Sequence, residues 1–178
     1  MNAEQAKFLT EFYAKGLEME APITAKVIAA VPDNNRDYRP DPKSRTAWEL
    51  ATHLAISDVW FLDSICKGSF EFDPDVEKRI AAQFTNVNDI VTWYKKEFPA
   101  KLQELRNAPA EKLAQVVDFF GMFQWPNAAY LSFATNHGVH HRGQLAAYLR
   151  AAGSKVPSIY GGSADEPLVA EAAAQQQA

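Results

Sequence analysis

Four stretches of the chain bring an apolar residue back every three or four positions, and this helical spacing limits the available folds more than any other feature. Over residues 3–31 the run is Phe8, Phe12, Ile23, Val27 and Val31, with charged residues on the other face. Pro22 lacks an amide hydrogen and crowds the preceding turn, so this helix is expected to kink there or to divide in two. After an irregular connection over residues 32–44, Thr46-Ala-Trp-Glu49 has the form of a capping box. It opens a second helix whose stripe of Leu50, Leu54, Trp60, Phe61 and Ile65 leads to Gly68 as a left-handed stop.

A short helix is expected over residues 75–84. Asn88 is expected to cap a third long helix that runs to residue 108, buries Ile90, Tyr94, Phe98, Leu102 and Leu105, and bends at Pro99. Residues 116–125 are rich in β-branched and aromatic side chains, and they read as an extended segment across one end of the fold, without a sheet partner. The fourth long helix, over residues 127–150, aligns Tyr130, Phe133, His137, His141, Leu145 and Tyr148 and stops at Gly153. Four long helices and no credible sheet predict an all-α fold built as a helical bundle.

The chain's 178 residues suit one domain. We place it at residues 1–163, followed by an Ala/Gln-rich tail over 164–178 that is either a weak helix or disordered. Eighteen basic and twenty-two acidic residues leave a net charge of −4, which disfavours a nucleic-acid partner. Cys66 is the single cysteine, so neither a disulfide within the chain nor a four-cysteine zinc site is available, and a reducing cytoplasm fits best. Charges at Glu4, Lys7, Glu11, Lys15, Glu18 and Glu20 break up any apolar run of signal-peptide or membrane-span length, so no membrane partner is expected.

Three of the four histidines, His137, His140 and His141, fall within five positions, and the fourth, His53, lies on the second helix. Residues four apart share a helical face, so His137 and His141 can aim at one metal ion, while His140 is turned about 100° from His141. His53 lies on the inward stripe of its own helix and can face the pair; three imidazoles meeting inside a bundle are best satisfied by sharing a cation. A hydrogen-bonded histidine pair with no metal is the competing reading, and spacing alone does not separate the two. The metalloprotease form His-Glu-x-x-His is absent, because Gly138 follows His137. Cys66, roughly 220° around the helix from His53, is read as a small buried hydrophobe and not as a ligand.

The run Asn136-His137-x-x-x-His141-Arg142-Gly143-Gln144-Leu145, then Tyr148-Leu149-Arg150, Gly153 and Pro157-Ser158-Ile159-Tyr160-Gly161, resembles the C-terminal signature of the DinB-like family. Trp48-Glu49-Leu50-Ala51-Thr52-His53-Leu54 resembles that family's first-histidine helix. The resemblance implies a four-helix bundle of the DinB-like type, often a homodimer, with a divalent metal, nickel or zinc, on His53, His137 and His141. It also implies an enzyme that uses a low-molecular-weight thiol on an electrophilic small-molecule substrate, as in the bacillithiol and mycothiol transferases. A non-catalytic metal-binding stress protein and a metal-dependent hydrolase are the alternatives.

Beside that signature, Arg142 and Tyr160 are the positions expected to bind such a cofactor, Arg142 by neutralising an anionic group, although an ordinary ion pair would also account for it. Gln144 stands between pocket rim and structure, and Gly143 is expected to allow close helix packing. Four tryptophans and eleven phenylalanines, more aromatic surface than one core hides, add to the expectation of a homodimer.

Overall fold

A computed structural model of the chain describes residues 1–168. Helix α1 (Ala3–Ala29) starts at Asn2, whose side chain accepts from the Gln5 amide at 2.8 Å while Gln5 returns a bond to the Asn2 amide. The helix runs unbroken through Pro22, which faces solvent. Leu17 and Thr24 are buried on either side of it, so breaking the helix would unpack both.

Of the stripe expected on this segment, Val27 and Val31 are buried, but the N-terminal half of α1 buries a different face. Ala6, Thr10, Ala14 and Leu17 point inward, whereas Phe8 and Phe12 are 72% and 64% exposed. Close approach of neighbouring helices leaves room there for alanine and threonine, and the two phenylalanines lie about 200° around the helix from that stripe.

Helix α2 (Ala47–Lys67) begins at the expected Thr46–Glu49 capping box and ends at Gly68, in the left-handed region at φ 78°. Helix α3 (Pro74–Ala81) buries no residue. Helix α4 (Val87–Asn107) is capped by Asn86, not Asn88: Asn86 accepts from the Asp89 amide at 3.1 Å and Asp89 accepts in return. The acidic residue three positions on decides between the two asparagines. The expected stripe of α4, from Ile90 to Leu105, is buried, and the helix continues past an exposed Pro99.

Beyond the short α5 (Ala110–Ala114), the segment read as unpaired pairs with itself. Strands β1 (Val116–Phe119) and β2 (Phe123–Pro126) form an antiparallel hairpin. Its turn places Phe120 at φ 55° and Gly121 at φ 72°, the mirror-image geometry that matches strand twist. The fold is therefore mostly helical, with one two-stranded hairpin among the described residues. The Tyr130 hydroxyl secures the hairpin by donating to Val117 O at 2.7 Å and accepting from the Trp125 amide at 3.2 Å.

A 3₁₀ turn (Asn127–Ala129) leads into α6 (Tyr130–Ala151). Asn127 is fully buried and donates to Ile65 O at 2.7 Å, which fixes the start of α6 against the end of α2. Gly153 at φ 83° closes α6, with its amide on Arg150 O and the Ser154 amide on Leu149 O. Helices α1 and α2 each pack on α4 and on α6, so the four long helices enclose one core. Of the Ala/Gln-rich end, residues 169–178 lie outside the described residues; Asp165 and Glu166 fold back onto Val156, Ser158 and Lys26. Among the described residues no helix is long and apolar enough to cross a membrane.

Candidate metal centre

His53 comes from the middle of α2, and His137 and His141 come from successive turns of α6. Packing of α2 on α6 brings one ligand-competent atom of each to within 4.8 Å of the others. The ring centroids lie 5.3 Å apart for His53 and His137, 4.8 Å for His53 and His141, and 4.4 Å for His137 and His141. Nitrogens sharing one zinc ion at about 2.0–2.1 Å stand about 3.4 Å apart, so small side-chain rotations would close the set on an ion. His140 is exposed and turned outward, as its rotation on the helix predicts.

The three rings lie at the margin of the core. The fully packed stripe of α6 is Tyr130, Ala134, Gly138, Arg142, Leu145 and Leu149, one position round from the histidines, which are half-buried. Burial nevertheless dominates their acid–base behaviour, bringing His53 down to about 3 and His137 to about 4. His141 is also lowered by burial, against an opposing hydrogen bond from Gln144. The Arg45 charge adds to the lowering on all three. At neutral pH they are three uncharged imidazoles, the form that ligates metals.

The groups around the rings differ. Gln144 Oε1 accepts from His141 Nδ1 at 2.8 Å, which leaves Nε2 with the free lone pair. Ser57 Oγ lies 3.2 Å and Glu77 Oε1 lies 3.5 Å from His53 Nδ1. His137 packs its ring 5.1 Å from Phe61, and its Nδ1 is buried without a hydrogen-bond partner. A neutral three-imidazole donor set with an orphaned buried nitrogen fits a divalent cation.

Arg142 and Tyr160 are brought together, but away from the histidine rings. Arg142 is 1% exposed; its guanidinium pairs with Glu20, donates to Thr24 Oγ1 at 3.1 Å and meets the Tyr160 hydroxyl, which itself donates to Glu20 at 2.9 Å. Next to this pair, Asp58 accepts from the Tyr94 hydroxyl at 3.0 Å, and burial pushes its carboxyl up to about 7. Glu20, Arg142, Asp58 and Tyr94 line a cavity of about 10 Å³, room for about one water molecule.

Sequence reasoning passed over Asp58, although an acid within the apolar run Ile56-Ser57-Asp58-Val59 was a signal. The close-packing glycine is Gly138: a Cβ there would stand 2.9 Å from Asp58 Oδ1, whereas one on Gly143 would meet nothing within 4 Å. Cys66 is buried away from the histidines, and burial pushes its thiol up to about 11.

The DinB family pattern matches residues 4–174. This chain belongs to the DinB family. Among relatives of this DinB-family protein, the uncharacterized Bacillus subtilis protein YrdA is 28% identical over 158 residues, covering 88% of this chain and 90% of its own. The Bacillus subtilis protein YjoA is 25% identical over 131 residues, 74% of this chain and 82% of its own. In three dimensions the chain is similar to the crystal structure of a DinB-like protein from Bacillus cereus, with a TM-score of 0.67 and 25% identity over 84% of this chain and 97% of that one. It is also similar to the crystal structure of YjoA, with a TM-score of 0.63 and 23% identity over 80% and 92% of the two chains.

Proposed function

We propose that this DinB-family protein is a metal-dependent enzyme that uses a low-molecular-weight thiol on an electrophilic small molecule. In this reading residues 1–163 form a four-helix bundle of the DinB-like type, residues 164–178 are a tail, and His53, His137 and His141 hold a nickel or zinc ion. The observation that carries it is the convergence of three neutral imidazoles from α2 and α6 within 4.8 Å. Three protein donors leave a coordination position for an outside ligand, as reactive sites do and closed structural sites do not. A divalent ion held there supplies positive charge that lowers the pKa of a thiol, giving a nucleophile at neutral pH.

The chain's own residues do the rest. Gln144 holds His141 in one tautomer, Ser57 and Glu77 bear on His53, and Phe61 with Phe133 walls the His137 side. Cys66 is too buried and too weakly acidic to be the nucleophile, so the thiol comes from outside. Arg142 and Tyr160, the expected cofactor-binding positions, act in this reading by tying α6 to Glu20 of α1 and so setting where His141 stands. Glu77, 3.5 Å from His53, favours the metal-dependent hydrolase as a second reading, because a carboxylate beside such a site can serve a water nucleophile.

A homodimer in a reducing cytoplasm completes the proposal; exposed Phe8, Phe12 and Met19 on α1 supply apolar surface for a second copy. The deciding experiment is native mass spectrometry of purified protein followed by assay of the metal-loaded form with glutathione, cysteine, bacillithiol and mycothiol against a panel of electrophiles. One divalent ion per chain and metal-dependent thiol consumption are expected. Full metal occupancy with no consumption of any thiol would reject the transferase reading.

A further inference from the structure

Phe120 stands in the turn of the β1–β2 hairpin at φ 55°, a left-handed conformation that asparagine and glycine adopt readily and phenylalanine does not. The turn is closed by the Met122 amide on Phe119 O at 3.0 Å, so the hairpin itself imposes this geometry. The Phe120 ring lies nearly parallel to the Trp60 indole, with 9° between planes and 6.4 Å between centroids, yet Phe120 remains 47% exposed. Such one-sided contact recovers only part of the burial available to a ring, so packing within the fold does not account for a phenylalanine at this position.

The surface that Phe120 borders leads to the histidines. Trp60 follows His53 by nearly two turns of α2 and shares its face about 10 Å along the axis. Phe133 precedes His137 by one turn of α6. Phe61 joins the two helices, with its ring 4.8 Å from Trp60, 5.6 Å from Phe133 and 5.1 Å from His137. Phe119 closes the other side, 5.3 Å from Phe133 and 4.9 Å from Phe120. Trp60 is fixed by donation from its Nε1 to Glu71 O at 3.0 Å. Because Trp60 and Phe133 are only half-buried, a continuous aromatic wall with accessible faces runs from the His137 ring to the hairpin turn.

We propose that this wall binds a flat aromatic group of the small molecule whose reactive end lies at the histidine site, and that Phe120 selects for that group. Aromatic rings pack favourably on the faces and edges of other rings, and a ligand ring laid on Phe120 and Trp60 supplies the burial that the turn forgoes. The substrate class is then an aryl-bearing electrophile. That the ring belongs to an electrophile rests on the function proposed above; that a ring binds this wall does not.

The test titrates full-length, nickel-loaded protein with N-phenylsuccinimide and N-methylsuccinimide, unreactive compounds that differ in the ring alone, and reads tryptophan fluorescence and heat. The phenyl compound should bind more tightly, and its fluorescence change should be lost in Trp60→Phe. In Phe120→Asn the preference for phenyl should fall about threefold to tenfold, methyl binding should be unchanged, and Tm should rise because asparagine suits the turn. A substitution that stabilises the fold while weakening one ligand separates recognition from folding.

Equal binding of the two compounds, a phenyl preference unchanged in Phe120→Asn, or a lower Tm for that variant would each overturn the proposal. In thiol assays N-phenylmaleimide should be preferred to N-methylmaleimide. If neither is consumed while the succinimide preference holds, the thiol reading falls and the aromatic site stands.

Discussion

Gly138 lays the backbone of α6 directly against the Asp58 carboxylate of α2, with 2.9 Å between Asp58 Oδ1 and the place where a Cβ would stand. Asp58 has little freedom to withdraw, because the Tyr94 hydroxyl holds its other oxygen at 3.0 Å. Gly138→Ala should therefore push the two helices apart next to His137. Alanine returns about 0.5–1 kcal/mol of helix propensity, but overpacking costs about 1–3 kcal/mol, so net destabilisation is expected. Thermal denaturation with metal analysis reads both effects: a lower Tm together with lower occupancy. Gly143→Ala, with open space around it, should instead raise Tm by a few degrees. A Gly138→Ala protein as stable as Gly143→Ala would remove this account of the glycine.

Asp58 also predicts a pH dependence. The unfolded chain releases this proton near 3.8, and the folded protein holds it to about 7. A raised carboxyl pKa means that the stability it contributes is complete below about 3.8 and is lost as pH rises to about 7, on the order of 4 kcal/mol in all. His53 and His137, depressed to about 3 and about 4, work oppositely in the metal-free protein and cost stability as pH falls below about 6.5. Comparison of the natural chain with Asp58→Asn isolates the carboxyl, since asparagine still accepts from Tyr94. The stability difference between the two should shift against the natural chain from pH 4 to 7 in urea titrations; a constant difference would contradict the assignment.

What could be read from the sequence was local. The Thr46 capping box, the Gly68 and Gly153 stops and the four-residue spacing of His137 and His141 involve neighbours within one or two turns, and each stands where expected. What could not be read depended on how closely distant elements approach. Phe8 and Phe12 look like a core stripe until α4 and α6 are in place and only Ala6, Thr10 and Ala14 fit. The hairpin was hidden because its partner is itself and its turn carries Phe120 at positive φ, without the usual asparagine–glycine signal. Arg142 looked like a ligand-site residue beside His141, yet one step around α6 is 100°, enough to turn it onto Glu20.

The exposed faces of Phe8 and Phe12 predict self-association. Phe8→Glu combined with Phe12→Glu should give a monomer mass by light scattering at micromolar concentration where the natural chain gives a dimer. Both side chains are already in solvent, so Tm at high dilution should change little. A natural chain that is itself monomeric at that concentration would end the dimer proposal.

The histidine cluster predicts a graded pattern of metal loss. His53→Ala, His137→Ala and His141→Ala each remove one of the three proposed donors and should weaken nickel or zinc binding by more than about 100-fold, while His140→Ala, outward-facing, should leave it unchanged. Gln144→Ala frees His141 to adopt either tautomer and should fall between, at about 10–100-fold. Because burial keeps His53 and His137 neutral well below the usual histidine range, protons compete weakly with the metal at these two positions. With His141 lowered by burial as well, occupancy should fail at lower pH than for an exposed histidine site. Isothermal titration of the five variants and a pH series of metal content check the pattern. Equal loss in His140→Ala and His141→Ala would show that the wrong ring had been placed in the site.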